Sequence, residues 1–172
     1  MQTCKRKNAA MLDKLFDQLP IFYDLSPTQR NLLEPLLSLC DCSADDVIFE
    51  QGEDVEYLYI LIDGEVAIRF KPDDGEAIIV ARIKKGGVFG WSAAFGRHKY
   101  TSGAACVTKT RLLRMRGKDL RKLRQNHPKT GILILERLAA VVVERMQSSH
   151  AQSQVVAMLE DALKNGIKPI GG

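Results

Sequence analysis

Apolar residues recur along the chain with two different periods, and the change between them divides it into three stretches. Ala9 to Leu19 carries apolar positions at helical spacing, which predicts a short amphipathic helix. A second helix is announced by Ser26-Pro27-Thr28-Gln29 ahead of Leu32-Leu33: an N-cap serine, a proline at the first helical position and a glutamine placed to close a capping box. Pro35 follows inside the same apolar run. It removes a backbone donor, so two short turns are expected in place of one straight rod.

From Cys40 to Met115 the period shortens to that of strands. Short β-branched and aromatic runs are punctuated by Gly52, Gly64 and the turn Pro72-Asp73-Asp74-Gly75, with no long helix between them. Several antiparallel strands in a sandwich or barrel follow from that spacing. Tyr57 to Ile62 is almost continuously apolar, as a strand buried on both faces would be, whereas Ala67 to Phe70 alternates.

After Arg116 the helical period returns. Gly117 to His127 reads as a short helix stopped by Pro128. The next segment sets Ile132, Leu135, Leu138, Ala139, Val142, Val143 and Met146 along one broad stripe. That stripe is wider than the edge of a small sandwich demands, and pairing with the same helix of a second copy between Ile132 and Met146 is the simplest use for it. A last helix is expected from about Ser149 to Asn165.

Composition narrows the class only a little. The chain has 172 residues, 45% hydrophobic and 27% charged, and a net charge of +4, which suits one domain and is too small an excess to imply nucleic acid. The basic N-terminal head leads into residues interrupted by Asp13, Lys14 and Asp17, so no signal-peptide core forms there. The apolar stretch from Gly131 to Val143 contains Glu136 and Arg137 and is too short to cross a bilayer. A cytoplasmic protein without membrane contact is expected. Cysteines stand at 4, 40, 42 and 106 without zinc-type spacing; Cys40 and Cys42 would face one side of a strand, as small buried thiols.

With these elements in place the chain resembles the cyclic-nucleotide-binding domain family, of which the sensor half of cyclic-AMP receptor protein is one member. The residues that carry the resemblance are Ile48 to Glu53, Tyr57 to Val66, and Gly86-Gly87-Val88-Phe89-Gly90, and the likeness runs from about Leu19 to Met146. It implies a mainly β double-sheet roll, or jelly roll, with N-terminal helices and a long C-terminal helix that often pairs into a dimer. The chain then divides into an N-terminal helical segment (1–25), a β-roll sensor domain with short helices (26–128), and a long C-terminal helix with a terminal helix and tail (129–172).

The family's cassette for a cyclic phosphate and ribose implies a ligand site at Phe89, Gly90, Trp91, Ser92, Ala93, Tyr100, Thr101 and Ser102. The resemblance places a glutamate after Phe-Gly, to accept from the ribose hydroxyl, and an arginine nine or ten places on, to neutralise the phosphate. Here Trp91 and Tyr100 stand at those positions, while the small residues around them are kept. A charge-assisted contact to phosphate contributes about 1.5–3 kcal/mol, and the ribose contact a similar amount. Micromolar affinity would therefore fall towards millimolar. Arg97, His98 and Lys99 could replace the lost cation only through a register shift in the loop. Trp91 and Tyr100 offer flat surfaces and two polar handles, which leaves two readings open: a pocket altered for an aromatic or apolar effector, or a disused pocket plugged by Trp91.

Catalysis and direct DNA binding are disfavoured. His98, His127 and His150 cannot form a metal triad within the strand segment, and no nucleophile has a partnered base, so neither catalytic nor metal residues are assigned. The residues after Gln147 supply at most one helix, less than a helix-turn-helix needs. The basic run Lys109, Arg111, Arg114, Arg116, Lys118, Arg121, Lys122 and Arg124 reads as a solvated face, or as contact with an anionic partner. The expectation is a non-catalytic effector-binding module with no certain cofactor that signals through the C-terminal helix. Its alternatives are a constitutive dimerisation scaffold for an unknown protein partner, or the sensor part of a transcription regulator without its DNA-binding domain.

Overall fold

The computed structural model describes residues 3–5 and 9–147. The terminal helix expected from Ser149 lies outside the described residues. Helix α1 (Ala9–Gln18) leads through a 3-10 turn (Pro20–Phe22) into α2 (Pro27–Leu33). The capping box at the start of α2 closes from both sides. The Gln29 amide donates to Ser26 Oγ (3.2 Å) and the Ser26 amide to Gln29 Oε1 (2.9 Å). Pro35 ends the α-helical ladder as expected, and Glu34–Leu36 continues as a 3-10 turn.

Two antiparallel sheets form the roll. The first is ordered β1-β2-β9-β4-β7: β1 (Thr3–Lys5), β2 (Leu37–Cys42), β9 (Thr110–Arg116), β4 (Tyr57–Asp63) and β7 (Val88–Phe89). The second is ordered β3-β8-β5-β6: β3 (Val47–Phe49), β8 (Gly103–Cys106), β5 (Val66–Phe70) and β6 (Ile78–Ile83). The strand at Thr3–Lys5 corrects the purely helical reading of residues 1–25. Its backbone pairs with β2 in the register Cys4 opposite Cys40, a tertiary contact that three residues of local pattern do not announce.

Both faces of the first sheet are buried, which is why β4 reads as an uninterrupted apolar run. Leu58, Ile60 and Ile62 face a layer of helices, and Tyr59 and Leu61 face the inside of the roll. β9 divides likewise, with Leu113 and Met115 towards the helices and Leu112 inward. The helix layer is mostly aliphatic, built on Leu12, Leu15, Leu19 and Leu33 around the ring pair Phe16–Phe22. The roll interior is aromatic and small, with Phe49, Tyr59, Phe89 and Tyr100 beside Ala104, Cys42 and Cys106.

Helices α3 (Gly117–Asn126) and α4 (Pro128–Gln147) complete the helix layer. Gly117 admits no side chain, because a Cβ there would stand 2.3 Å from the Ala93 carbonyl oxygen. α4 starts at Pro128, one turn earlier than the apolar stripe suggested, since proline suits the first helical turn as well as it ends the preceding helix. Its inward line is Thr130, Ile134 and Leu138, with Val141 packed against the core. Of the expected stripe, Leu138 is buried, while Ile132 and Val143 are 47% and 51% exposed. Arg137 ties α4 to the N-terminal turn by donating to the carbonyls of Ile21 (3.1 Å) and Tyr23. Cys40 is disulfide-bonded, so the expectation of a free buried thiol fails there; Cys42 and Cys106 are the free cysteines among the described residues.

Candidate functional site

The cassette folds as a turn, a short 3-10 helix and a return to β8. Gly90 is left-handed (φ 66°), and a Cβ on it would meet the Tyr57 carbonyl oxygen at 3.0 Å and the Tyr59 ring at 3.1 Å, so both its conformation and its neighbours require glycine. The 3-10 helix Trp91–Ala93 follows. Its own bonds begin with the Ala93 amide donating to Gly90 O (3.1 Å) and the Ala94 amide to Trp91 O (2.9 Å), which leaves the first two N–H groups of the turn outside its ladder.

A cavity of about 250 Å³ opens here. Phe89, Gly90, Trp91, Ser92, Tyr100, Thr101 and Ser102 line it together with Phe49, Ile68, Phe70, Val80 and Ala81. Seven of the eight residues expected at the ligand site thus share one cavity wall. Ala93 does not line it: the residue is buried in the helix layer and its carbonyl accepts from Arg121 Nη1 (3.2 Å).

Trp91 and Tyr100 differ in what they do. Trp91 is half-buried and packs edge-to-face on the exposed Phe95 (5.9 Å between centroids, 78°), so it forms a rim. Tyr100 is 5% exposed and lies flat on Phe49 at 3.8 Å and 13°, beside the stacked pair Tyr59–Phe89 (5.1 Å, 10°). Its hydroxyl is fully used. It donates to the Tyr57 carbonyl (2.6 Å) and accepts from the Tyr57 amide (3.1 Å), so it joins the cassette to β4. Burial pushes the phenols of Tyr59 and Tyr100 up from their usual value.

The loop cations do not reach this cavity. Arg97 and His98 line a separate groove beside Asp54, Glu56, Lys118 and Arg121, and Lys99 pairs with Asp54 at 2.6 Å on the surface. Among the described residues the cation that lines the cavity is Arg145, from the last turn of α4. Its Nη1 donates to Val88 O (3.3 Å), just before Phe89-Gly90, and withdrawal from water lowers its pKa. It also lines a larger cavity of about 610 Å³ between the β6–β7 turn and α4. Sequence reading missed Arg145 because it lies 54 positions beyond Trp91 on another element. The only local signal was a cation following the apolar run Leu138 to Val143 and Glu144.

The basic run on β9 and α3 is partly compensated. Arg111 bonds Asp41 (2.8 Å), Arg116 approaches Glu56 (3.3 Å) and bonds Tyr57 Oη (3.0 Å), and the Arg114 guanidinium lies 4.0 Å from the Tyr57 ring centroid. Among the described residues no group of His, Cys, Asp and Glu could hold a metal ion, and no helix is long and apolar enough to cross a membrane.

A double-sheet roll carrying this glycine-anchored turn defines a regulatory domain class, and sequence comparison identifies it. The chain belongs to the cyclic nucleotide-binding domain family, whose profile matches residues 40–127. It is 26% identical over 139 residues to a CRP-like cAMP-activated global transcriptional regulator of Mycobacterium tuberculosis, covering 81% of this chain and 60% of that protein. The chain therefore spans about three-fifths of the length of that relative. In fold it is similar to a cyclic nucleotide-binding domain from Methylobacillus flagellatus (TM-score 0.74, 16% identity, 99% of this chain and 92% of that one). It is also similar to the regulatory subunit of a cAMP-independent protein kinase A from Trypanosoma cruzi, in complex with guanosine (TM-score 0.66, 18% identity, 91% and 50%).

Proposed function

We propose that this chain is a non-catalytic effector-sensing module whose cavity takes a flat, phosphate-free molecule no larger than a nucleoside and reports its presence through α4. The observation that carries the reading is the placement of Arg145. One side chain from the C-terminal helix stands at the mouth of the cavity and holds the main chain at the start of the cassette, so an occupant that displaces it changes the seat of the helix. The wall supports the chemistry of the occupant. Among the described residues it is apolar and aromatic with hydroxyls at Ser92, Thr101 and Ser102 and without a carboxylate, and it encloses a volume below the ~300–1,000 Å³ of drug-sized ligand sites. The guanosine-bound kinase subunit is a neighbour in fold with a ligand of that class.

The response is read by a second copy or by a protein partner. Ile132, Ala139 and Val143 lie on the outer side of α4 at helical spacing, with Ile132 and Val143 exposed, which supports pairing of two chains along this helix. This is the arrangement of a sensor part that a longer regulator would use, and catalysis has no place in it. A second reading is favoured by the same arginine: Arg145 anchors an anionic group in place of the cation absent at position 100.

Calorimetry and thermal shift with guanosine, adenosine, cyclic AMP and cyclic GMP separate the two. The first reading expects a nucleoside to raise Tm and cyclic nucleotides to do nothing below millimolar concentration. Micromolar cyclic AMP binding that Arg145→Ala abolishes would establish the second. Micromolar binding that survives Arg145→Ala would overturn both. Trp91→Glu is the informative reversion, since Tyr100→Arg would put a charge into the aromatic stack.

A further inference from the structure

Two free thiols meet inside the roll, away from the cavity. Cys42 ends β2 in the five-stranded sheet and Cys106 ends β8 in the four-stranded sheet. They are 3% and 2% exposed, and the two side chains are hydrogen-bonded to each other. The backbone holds them there independently of the side chains. In the turn that follows Cys42, the Asp45 amide donates to Cys106 O (2.9 Å) and the Cys106 amide donates to Asp46 O (2.9 Å). Asp46 in turn accepts from the Ser43 amide (2.8 Å), which braces the turn itself. The two sulfurs are thus kept adjacent across the sheet-to-sheet interface and have no metal role among the described residues.

We propose that Cys42 and Cys106 form an oxidation site, in which a small neutral peroxide converts the thiol pair into a disulfide that joins the two sheets. Burial selects the oxidant: thiols 3% and 2% exposed are closed to a glutathione-sized disulfide, so the oxidant proposed is one close to the size of water. Cys106 is the attacking sulfur. The hydrogen bond from the Cys42 thiol holds Cys106 below the usual thiol range, against the opposing effect of burial, and the same contact keeps the proton on Cys42. The Cys106 thiolate attacks one peroxide oxygen, the O–O bond breaks, and hydroxide leaves and is protonated to water. Cys42 then loses its proton and attacks the resulting sulfenic sulfur, and the second oxygen departs as water. In total two S–H bonds and one O–O bond break and one S–S bond forms. The sulfur pair is oxidised by two electrons, and peroxide is reduced to two waters.

The experiment uses the full chain treated with graded hydrogen peroxide, blocked by alkylation, digested without reductant and mapped by mass spectrometry. A peptide linking Cys42 to Cys106 is expected, absent in Cys106→Ser. In Cys42→Ser a 1,3-diketone probe should trap sulfenic acid on Cys106. Closing a loop of about 60 residues should raise Tm by on the order of 10 °C, reversibly with reductant. The proposal is overturned if both thiols of the wild-type chain stay alkylatable at peroxide doses that oxidise an exposed cysteine peptide. It is overturned equally if the mapped links join Cys42 or Cys106 to other cysteines. Both results are read on the wild-type chain, so poor folding of a variant does not blur them.

Discussion

The two cores of this molecule share a sheet and differ in almost everything else. On the outer face of the five-stranded sheet, leucines from α1, α2, α3 and α4 pack with Phe16 and Phe22; on its inner face, four aromatic rings pack with aliphatic and small side chains and two free thiols. The outer layer is mostly leucine and contributes stability chiefly through buried area, with Phe16 edge-to-face on Phe22 at 5.1 Å. The inner layer is particular. Its rings are oriented by a hydroxyl that is doubly hydrogen-bonded, and its edge opens into a cavity. The leucine-rich packing thus faces the helices, and the packing with fixed ring and hydroxyl geometry borders the cavity.

The sharpest way to break that contrast is at Tyr100. Tyr100→Ala removes a ring stacked at 3.8 Å and leaves both main-chain groups of Tyr57 unpaired, so urea unfolding should show a loss of about 3–5 kcal/mol. A loss under about 1 kcal/mol would mean the inner stack is filler. Alkaline pH probes the same core without mutation. The folded chain keeps the phenol protons of Tyr59 and Tyr100 that the unfolded chain releases, so their contribution is complete below pH 10.0 and is lost as pH rises beyond it. The slope is up to about 1.4 kcal/mol per pH unit for each phenol, and Tm measured from pH 8 to 11 should bend downward near 10. Absorbance titration showing both phenols ionised at 10 in the folded chain would contradict this.

Gly117→Ala joins the two regions, because its methyl would strike the Ala93 carbonyl and push the 3-10 helix away from α3. About 1–3 kcal/mol of stability should go, together with weaker ligand response, whereas a mutation confined to the helix layer should leave binding intact. Ser26→Ala is that control. It removes one half of the capping box and should cost about 1 kcal/mol in chemical unfolding with no change in any binding isotherm.

Much of the fold was legible before the structure, for identifiable reasons. The capping box of α2, the break at Pro35 and the doubly buried strand at Tyr57 to Ile62 are all local signals whose physics acts within a few residues. The cassette was legible as a set of positions, since its glycine and small residues obey backbone constraints. What could not be read was how Tyr100 behaves. In sequence it offers a ring and a polar handle; in the structure the handle is spent on Tyr57, 43 positions away. Arg145 was invisible for the converse reason, its role arising only when the end of α4 meets the cavity. The stripe on α4 was recognised, but not which side of it turns inward, because helical periodicity gives a face without saying what it faces.

Residue identity and spacing settle the class of architecture and the uncharged character of positions 91 and 100, because periodicity, capping and charge are properties of the residues themselves. Only the tertiary structure decided which side chains still reach the cavity, which thiols meet, and which aromatic is a wall and which a rim. Those outcomes depend on contacts between residues far apart in the chain, whose geometry the backbone sets only after both sheets have closed.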